Sequence, residues 1–128
     1  MKPDLVNAVL NSSTELAIIA TSSEGVIEVF NRGAELMLGY SAEEMVGKMT
    51  PAIFHDESEV KAYASVLSAK YSQEISGFRV FVYEPERQGH ECRMWTYIRK
   101  NNSRLTVNLT ITPMRNETNE LTGYMGMA

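Results

Sequence analysis

The side chains able to do chemistry are few and widely spaced. Two histidines, His55 and His90, and a single cysteine, Cys92, are the soft or titratable ligands of a 128-residue chain. One cysteine excludes an internal disulfide and any multi-cysteine zinc site, and the two histidines lack metal-ligand spacing. The adjacent carboxylates Glu43-Glu44 and Asp56-Glu57 would have to face one another with separated pKa values to act as acid and base. Placed at predicted helix starts, they instead complement the positive end of the helix dipole. No Ser-His-Asp order, phosphate-binding loop or metal motif is present. The expectation is a chain that is not an enzyme.

Composition narrows the partners. Hydrophobic residues make up 44% and charged residues 22% of the chain, ordinary values for one globular domain with its own core. Net charge is −4, and no cation run exceeds Arg99-Lys100, so neither a nucleic-acid groove nor a polybasic membrane contact is expected. No signal-peptide core or membrane-length apolar stretch is visible, which makes the cytoplasm the expected compartment.

Several elements can be placed from pattern alone. Leu5, Val6, Val9 and Leu10 keep helical spacing behind Asp4, and this short helix needs something to dock on. Leu16 to Ala20 and Val26 to Phe30 read as strands joined at Ser22-Ser23-Glu24-Gly25. Asn31 caps a helix ended by Gly39, and Ser41 with Glu44 forms a capping box for another that Gly47 stops. Pro51 to Phe54 is a brief turn. Asp56 or Ser58 caps a longer helix carrying Val60, Tyr63, Val66, Leu67 and Tyr71. Phe78, Val80 and Val82 alternate like a strand, with a turn from Pro85 to Gly89. Cys92 to Arg99, Leu105 to Ile111 and Leu121 to Ala128 read as three further strands, the first two joined at Lys100-Asn101-Asn102-Ser103. The fold class is α+β, with helices on one face of an antiparallel sheet.

Ordered motifs sharpen that class. The stretch from Gly25 to Gly47, with its Asn31 helix start, Gly39-Tyr40 pair and Glu43-Glu44 helix, closely resembles the N-terminal core of PAS domains. Ile53-Phe54-His55-Asp56 is similar to that family's apolar-His-Pro-Asp element without the proline. Arg99-Lys100-Asn101-Asn102-Ser103 resembles its Arg-Lys-Asp-Gly-Ser turn, and Val107 to Pro113 and Gly123 to Met127 resemble its last two strands. The resemblance implies a PAS domain over residues 14–128, with a five-stranded sheet, behind a cap helix over 1–13. It implies a sensory module of a bacterial signalling protein, such as a diguanylate cyclase or sensor histidine kinase, that binds a small molecule or partner and relays a conformational signal to an output domain.

The same resemblance bears on ligands. Ala52 to Glu57 lacks the cysteine of flavin-binding members, and Tyr97, Val107 and Ala128 stand where those members carry amides. The helix after Glu57 lacks the axial histidine of haem-binding members. Both coloured cofactors are therefore disfavoured, and a small organic molecule is the remaining ligand class. The resemblance turns Trp95, Tyr97, Val107, Leu109, Tyr124 and Gly126 toward the helices, where PAS ligands bind, with Met45, Phe54, Tyr63 and Leu67 approaching from the helical side. These residues either line an apolar pocket or fill the core. Met94, Ile98, Met125 and Met127 lie on the opposite face, to be covered by the helix at Leu5 to Leu10 or by a second subunit; a homodimer through that helix and face is expected. A ligand-free dimerisation and protein-interaction module is the alternative function.

Overall fold

A computed structural model describes residues 3–128, so the first two positions of the cap helix expected over 1–13 lie outside the described residues. Helix α1 (Pro3–Ser12) leads into strands β1 (Ile18–Thr21) and β2 (Ile27–Phe30). Helices α2 (Arg32–Leu38) and α3 (Ala42–Met45), a 3-10 turn (Pro51–Phe54), α4 (Glu57–Tyr71) and α5 (Arg79–Gln88) follow. The chain closes with β3 (Glu91–Ile98), β4 (Arg104–Arg115) and β5 (Leu121–Met127). The five strands form one antiparallel sheet in the order β2-β1-β5-β4-β3, so the first and last strands lie side by side with Ile18 opposite Met127. Among the described residues no helix is long and apolar enough to cross a membrane.

Local chemistry explains most boundaries. The Asn31 side chain accepts from the Ala34 amide to start α2, and Gly39 ends it in the left-handed conformation at φ 84°. Ser41 and Glu44 form the reciprocal capping box of α3. The Glu44 carboxylate also takes a 2.6 Å contact from Lys100, and that hydrogen bond above all lowers its pKa to about 2. Asp56 caps α4 by accepting from the Ser58 amide. In α4, Tyr63 and Leu67 turn inward as expected, while Val66 stays exposed. Asn102 supplies the positive φ of the β3–β4 turn.

One element differs from expectation. The segment carrying Phe78, Val80 and Val82 is not a strand; Val80 to Pro85 lie inside α5, which continues to Gln88. Alternation predicts that Phe81 faces away from its neighbours, yet Val80, Phe81 and Val82 are all buried. A helix wedged against α4, β3 and β4 buries more than one flank, which masks the helical period. Glu84 is buried in the same helix because Tyr71 and Lys70 of α4 donate to it, the latter at 3.1 Å. Burial alone would raise the Glu84 pKa; the Tyr71 and Lys70 hydrogen bonds outweigh it and hold the carboxyl below the usual range.

α1 packs against α2 and does not cover Met94 on the outer sheet face, which is 67% exposed. The other sheet face carries the core. Ile19, Trp95, Tyr97, Val107, Leu109, Ile111 and Tyr124 meet Phe54, Leu67, Phe81 and Val82 in one buried cluster. The edge strand β3 is held to α4 by Glu59, whose carboxylate accepts from the Thr96 amide at 2.6 Å and from its hydroxyl at 3.1 Å. Glu59→Ala is expected to lower stability by about 1–2 kcal/mol in urea unfolding, since an edge amide loses a charged acceptor. A change within the error of the wild-type midpoint would show that Glu59 does not hold the edge.

Candidate functional site

Gly126, one of ten residues that the sequence sets between sheet and helices, is half-buried; the other nine are buried in one core: Met45, Phe54, Tyr63, Leu67, Trp95, Tyr97, Val107, Leu109 and Tyr124. Only three of them border open space together. Phe54, Tyr97 and Tyr124 line an inner space of about 40 Å3 together with Phe78, Phe81 and Val82 from the helical side and Ile111 and Gly126 from the sheet. That volume has room for a few water molecules. The remaining six line neither this cavity nor the outer one described next.

An outer cavity of about 320 Å3 lies between the 3-10 turn, the start of α4 and the start of α5. Thr50, Ala52, His55, Glu57, Val60, Gly77, Phe78 and Phe81 line it. Phe78 and Phe81 border both spaces and so form the wall between them. Phe78 is held from behind by the β1–β2 turn: a Cβ on Gly25 would stand 2.8 Å from its ring. Sequence reasoning missed this wall because it assigned Phe78 and its neighbours to a strand; an α5 helix period would have been the signal, and Pro85 hides it.

His55 sits where aromatic rings from three elements converge. Its ring centroid is 5.5 Å from Phe54, 4.4 Å from Phe81, 5.3 Å from Trp95 and 5.1 Å from Tyr97. Backbone bonds place it: an isolated antiparallel bridge joins it to Tyr97, and its amide donates to Ala52 at 3.3 Å. The side chain is 5% of full exposure, and Nδ1 is buried without a hydrogen-bond partner. Burial lowers its pKa from 6.5 to about 3, so the imidazole is neutral. The backbone of His55 is thus fixed, while its side chain leaves an unused hydrogen-bonding atom in an apolar setting.

The sheet is tied to the helices by two phenols. Tyr124 donates to Glu86 of α5, which also receives two bonds from Arg79 at 2.8 and 2.9 Å. Tyr63 donates to Glu91 at 3.0 Å, under the Arg93 guanidinium 3.7 Å from its ring centre. Burial, reinforced by the adjoining carboxylates, pushes both phenols up to about 12. Cys92 is exposed and lies 3.1 Å from Asn108 on the strand beside it. Among the described residues no three His, Cys, Asp or Glu side chains cluster as a metal site.

Known proteins agree with this architecture. No curated protein sequence matches the chain. The PAS domain of a Colwellia psychrerythraea protein superposes with a TM-score of 0.75 at 18% identity, covering 97% of this chain and 92% of that one. The PAS domain of an HTR-like protein from Haloarcula marismortui gives 0.62 at 15% identity, over 97% and 87%. An RNA-binding light-oxygen-voltage receptor gives 0.70 at 16% identity, covering 98% of this chain but 32% of its own. At these identities the likeness is one of fold. The PAS domain family model matches residues 15–127, nearly the whole sheet-and-helix unit, and the chain belongs to the PAS domain family.

Proposed function

We propose that this PAS domain is a sensor that takes a small organic molecule between its helices and sheet and passes the change to an output domain. The observation that carries this reading is the pair of neighbouring cavities that share Phe78 and Phe81 in their walls, with His55 lining the outer one. Ring rotation at that wall would join the two spaces. A ligand shifts such a domain only if it prefers the joined state over the closed one. The relay then has a physical route, because α5 begins at the wall and Glu86 of the same helix holds Tyr124 of β5. In the cell we place the domain in the cytoplasmic part of a bacterial signalling protein, of the sensor histidine kinase or diguanylate cyclase kind. Mass spectrometry under native conditions, compared with the denatured mass, is expected to show a colourless molecule carried through purification. Identical masses, together with no thermal shift against a broad metabolite set, would overturn the sensing reading.

A second reading is a dimerisation module, favoured by surfaces the fold leaves bare. Leu5 and Val9 of α1 are each 55% exposed, and Met94 stands out on the other sheet face. Side chains of this kind bury well against a second copy of the chain. Sedimentation of the wild type as a dimer, and of Leu5→Glu/Val9→Glu as a monomer, is the expected result; a concentration-independent wild-type monomer would overturn it.

A further inference from the structure

We propose that the outer cavity over His55 binds a small planar aromatic compound that is neutral or cationic and carries one hydrogen-bonding group, and that it rejects anions. This rests on the sensing reading and names the class of molecule sensed. The walls set the shape. Phe78, Phe81 and Val60 are apolar, and the Phe81 ring already packs against His55 at 4.4 Å and Trp95 at 5.2 Å. Another flat ring extends such a cluster with edge-to-face or offset contacts. The volume of about 320 Å3 suits a one- or two-ring molecule.

The polar complement sets the handle. A buried polar atom without a partner is uncommon in a native fold, and His55 Nδ1 is closed off from solvent as well as unpartnered, so an occupant restores a bond to it by turning Phe81 aside to reach the ring. A neutral imidazole offers one N–H and one lone pair, and either a donor or an acceptor on the ligand serves. Charge sets the selectivity. Glu57 is the single charged residue lining the cavity, and no lysine or arginine lines it. Lys61 pairs with Glu57 at 2.9 Å, but the Glu57 side chain is 81% exposed, so it stays open to a ligand cation at the rim. An anion entering would lose water against Phe78, Phe81 and Val60 and meet a carboxylate instead of a counter-charge.

Three compounds with the same indole ring test this: tryptophol, tryptamine and indoleacetate, titrated into the isotope-labelled domain and followed by amide NMR. Tryptophol and tryptamine are expected to shift the amides of Ala52, His55, Val60 and Gly77 saturably, with indoleacetate roughly tenfold weaker or worse. Glu57→Gln is expected to remove any advantage of tryptamine over tryptophol. His55→Phe, which keeps an aromatic ring, is expected to weaken tryptophol roughly tenfold. Equal binding of indoleacetate would overturn the charge argument, and shifts centred on Ile111 and Gly126 would move the site to the inner cavity. Failure of all three compounds, in a domain that nonetheless carries a small molecule through purification, would overturn this inference and leave sensing intact. Failure of all three with no carried molecule and no thermal shift would sink both.

Discussion

Asn31→Ala is expected to remove about 3–5 kcal/mol of stability, a large part of what a domain of this size possesses. The side chain is 2% exposed and makes five hydrogen bonds. Its Oδ1 accepts from the amides of Ile18 and Ala34, each at 2.9 Å. Its Nδ2 donates to the carbonyls of Leu10 at 2.9 Å, Ser13 at 3.2 Å and Leu16 at 3.0 Å. One amide thereby joins the end of α1, the approach to β1, β1 itself and the first turn of α2. Truncation strands two buried donors at about 1–3 kcal/mol each, and water reaches them only by opening the joint. Asn31→Asp is the sharper variant, because it keeps the shape and the acceptor but turns a second carboxylate oxygen toward three carbonyls. It is expected to be at least as damaging as alanine. Gly33 belongs to the same knot: a Cβ there would stand 2.1 Å from the Leu16 oxygen and 2.6 Å from that of Ser13. Urea unfolding should show lower midpoints with unchanged slopes for both variants. Asn31→Ala and Asn31→Asp both within about 1 kcal/mol of wild type would mean that the knot is not holding these elements together.

The contrast between Asn31 and His55 shows what was legible in the sequence. The cap at Asn31, the Ser41–Glu44 box, the Gly39 stop and the turns at Gly25 and Asn102 are local, closed within a few residues, and each is legible from the residues themselves. Alternation separated Trp95 and Tyr97 from Met94 because a strand has only two faces, and the burial pattern of β3 follows it. Asn31's bonds back to Leu10, Ser13 and Leu16 were not legible, since nothing in the cap motif says what lies behind it. α5 fails for a similar reason. Its apolar run satisfies a strand pattern, and the facts that decide for a helix lie elsewhere: the α4 donors to Glu84, and the sheet surface of β3 and β4. The cavities are further removed still. Ten residues are set between sheet and helices by the sequence, and nine of them are buried, but whether buried side chains touch or leave a gap is a matter of volumes packed from several elements. His55 acquires its character from Phe81, Trp95 and Tyr97, none of them within twenty-five positions of it in the chain.

Mild acid is expected to destabilise the domain through His55 before any carboxylate responds. In the folded state burial holds the imidazole pKa near 3, against 6.5 for a free side chain. Above about 6.5 both states are neutral at this position and the full stability is present. As pH falls below that value the unfolded chain takes the proton first, so stability is lost progressively until the folded pKa is reached. The loss between about pH 7 and about pH 5 is roughly 2 kcal/mol. Glu44, Asp56, Glu84, Glu86 and Glu120 are also held below their ordinary values, so they add to acid loss only as pH falls past the ordinary carboxylate range of 3.8 to 4.5. The interval from 6.5 to 4.5 therefore belongs to His55 among these shifted groups. His55→Phe, whatever its own stability, is expected to flatten the profile across that interval. Trp95, the chain's single tryptophan, lies 5.3 Å from the imidazole and reports on it locally. Its emission should hold steady while the domain stays folded and change only with unfolding, because the folded ring does not take the proton there. Emission that titrates near 6.5 in a fully folded domain, or a variant that loses as much stability as wild type, would show that His55 is reached by water and is not the buried neutral group that the geometry makes it.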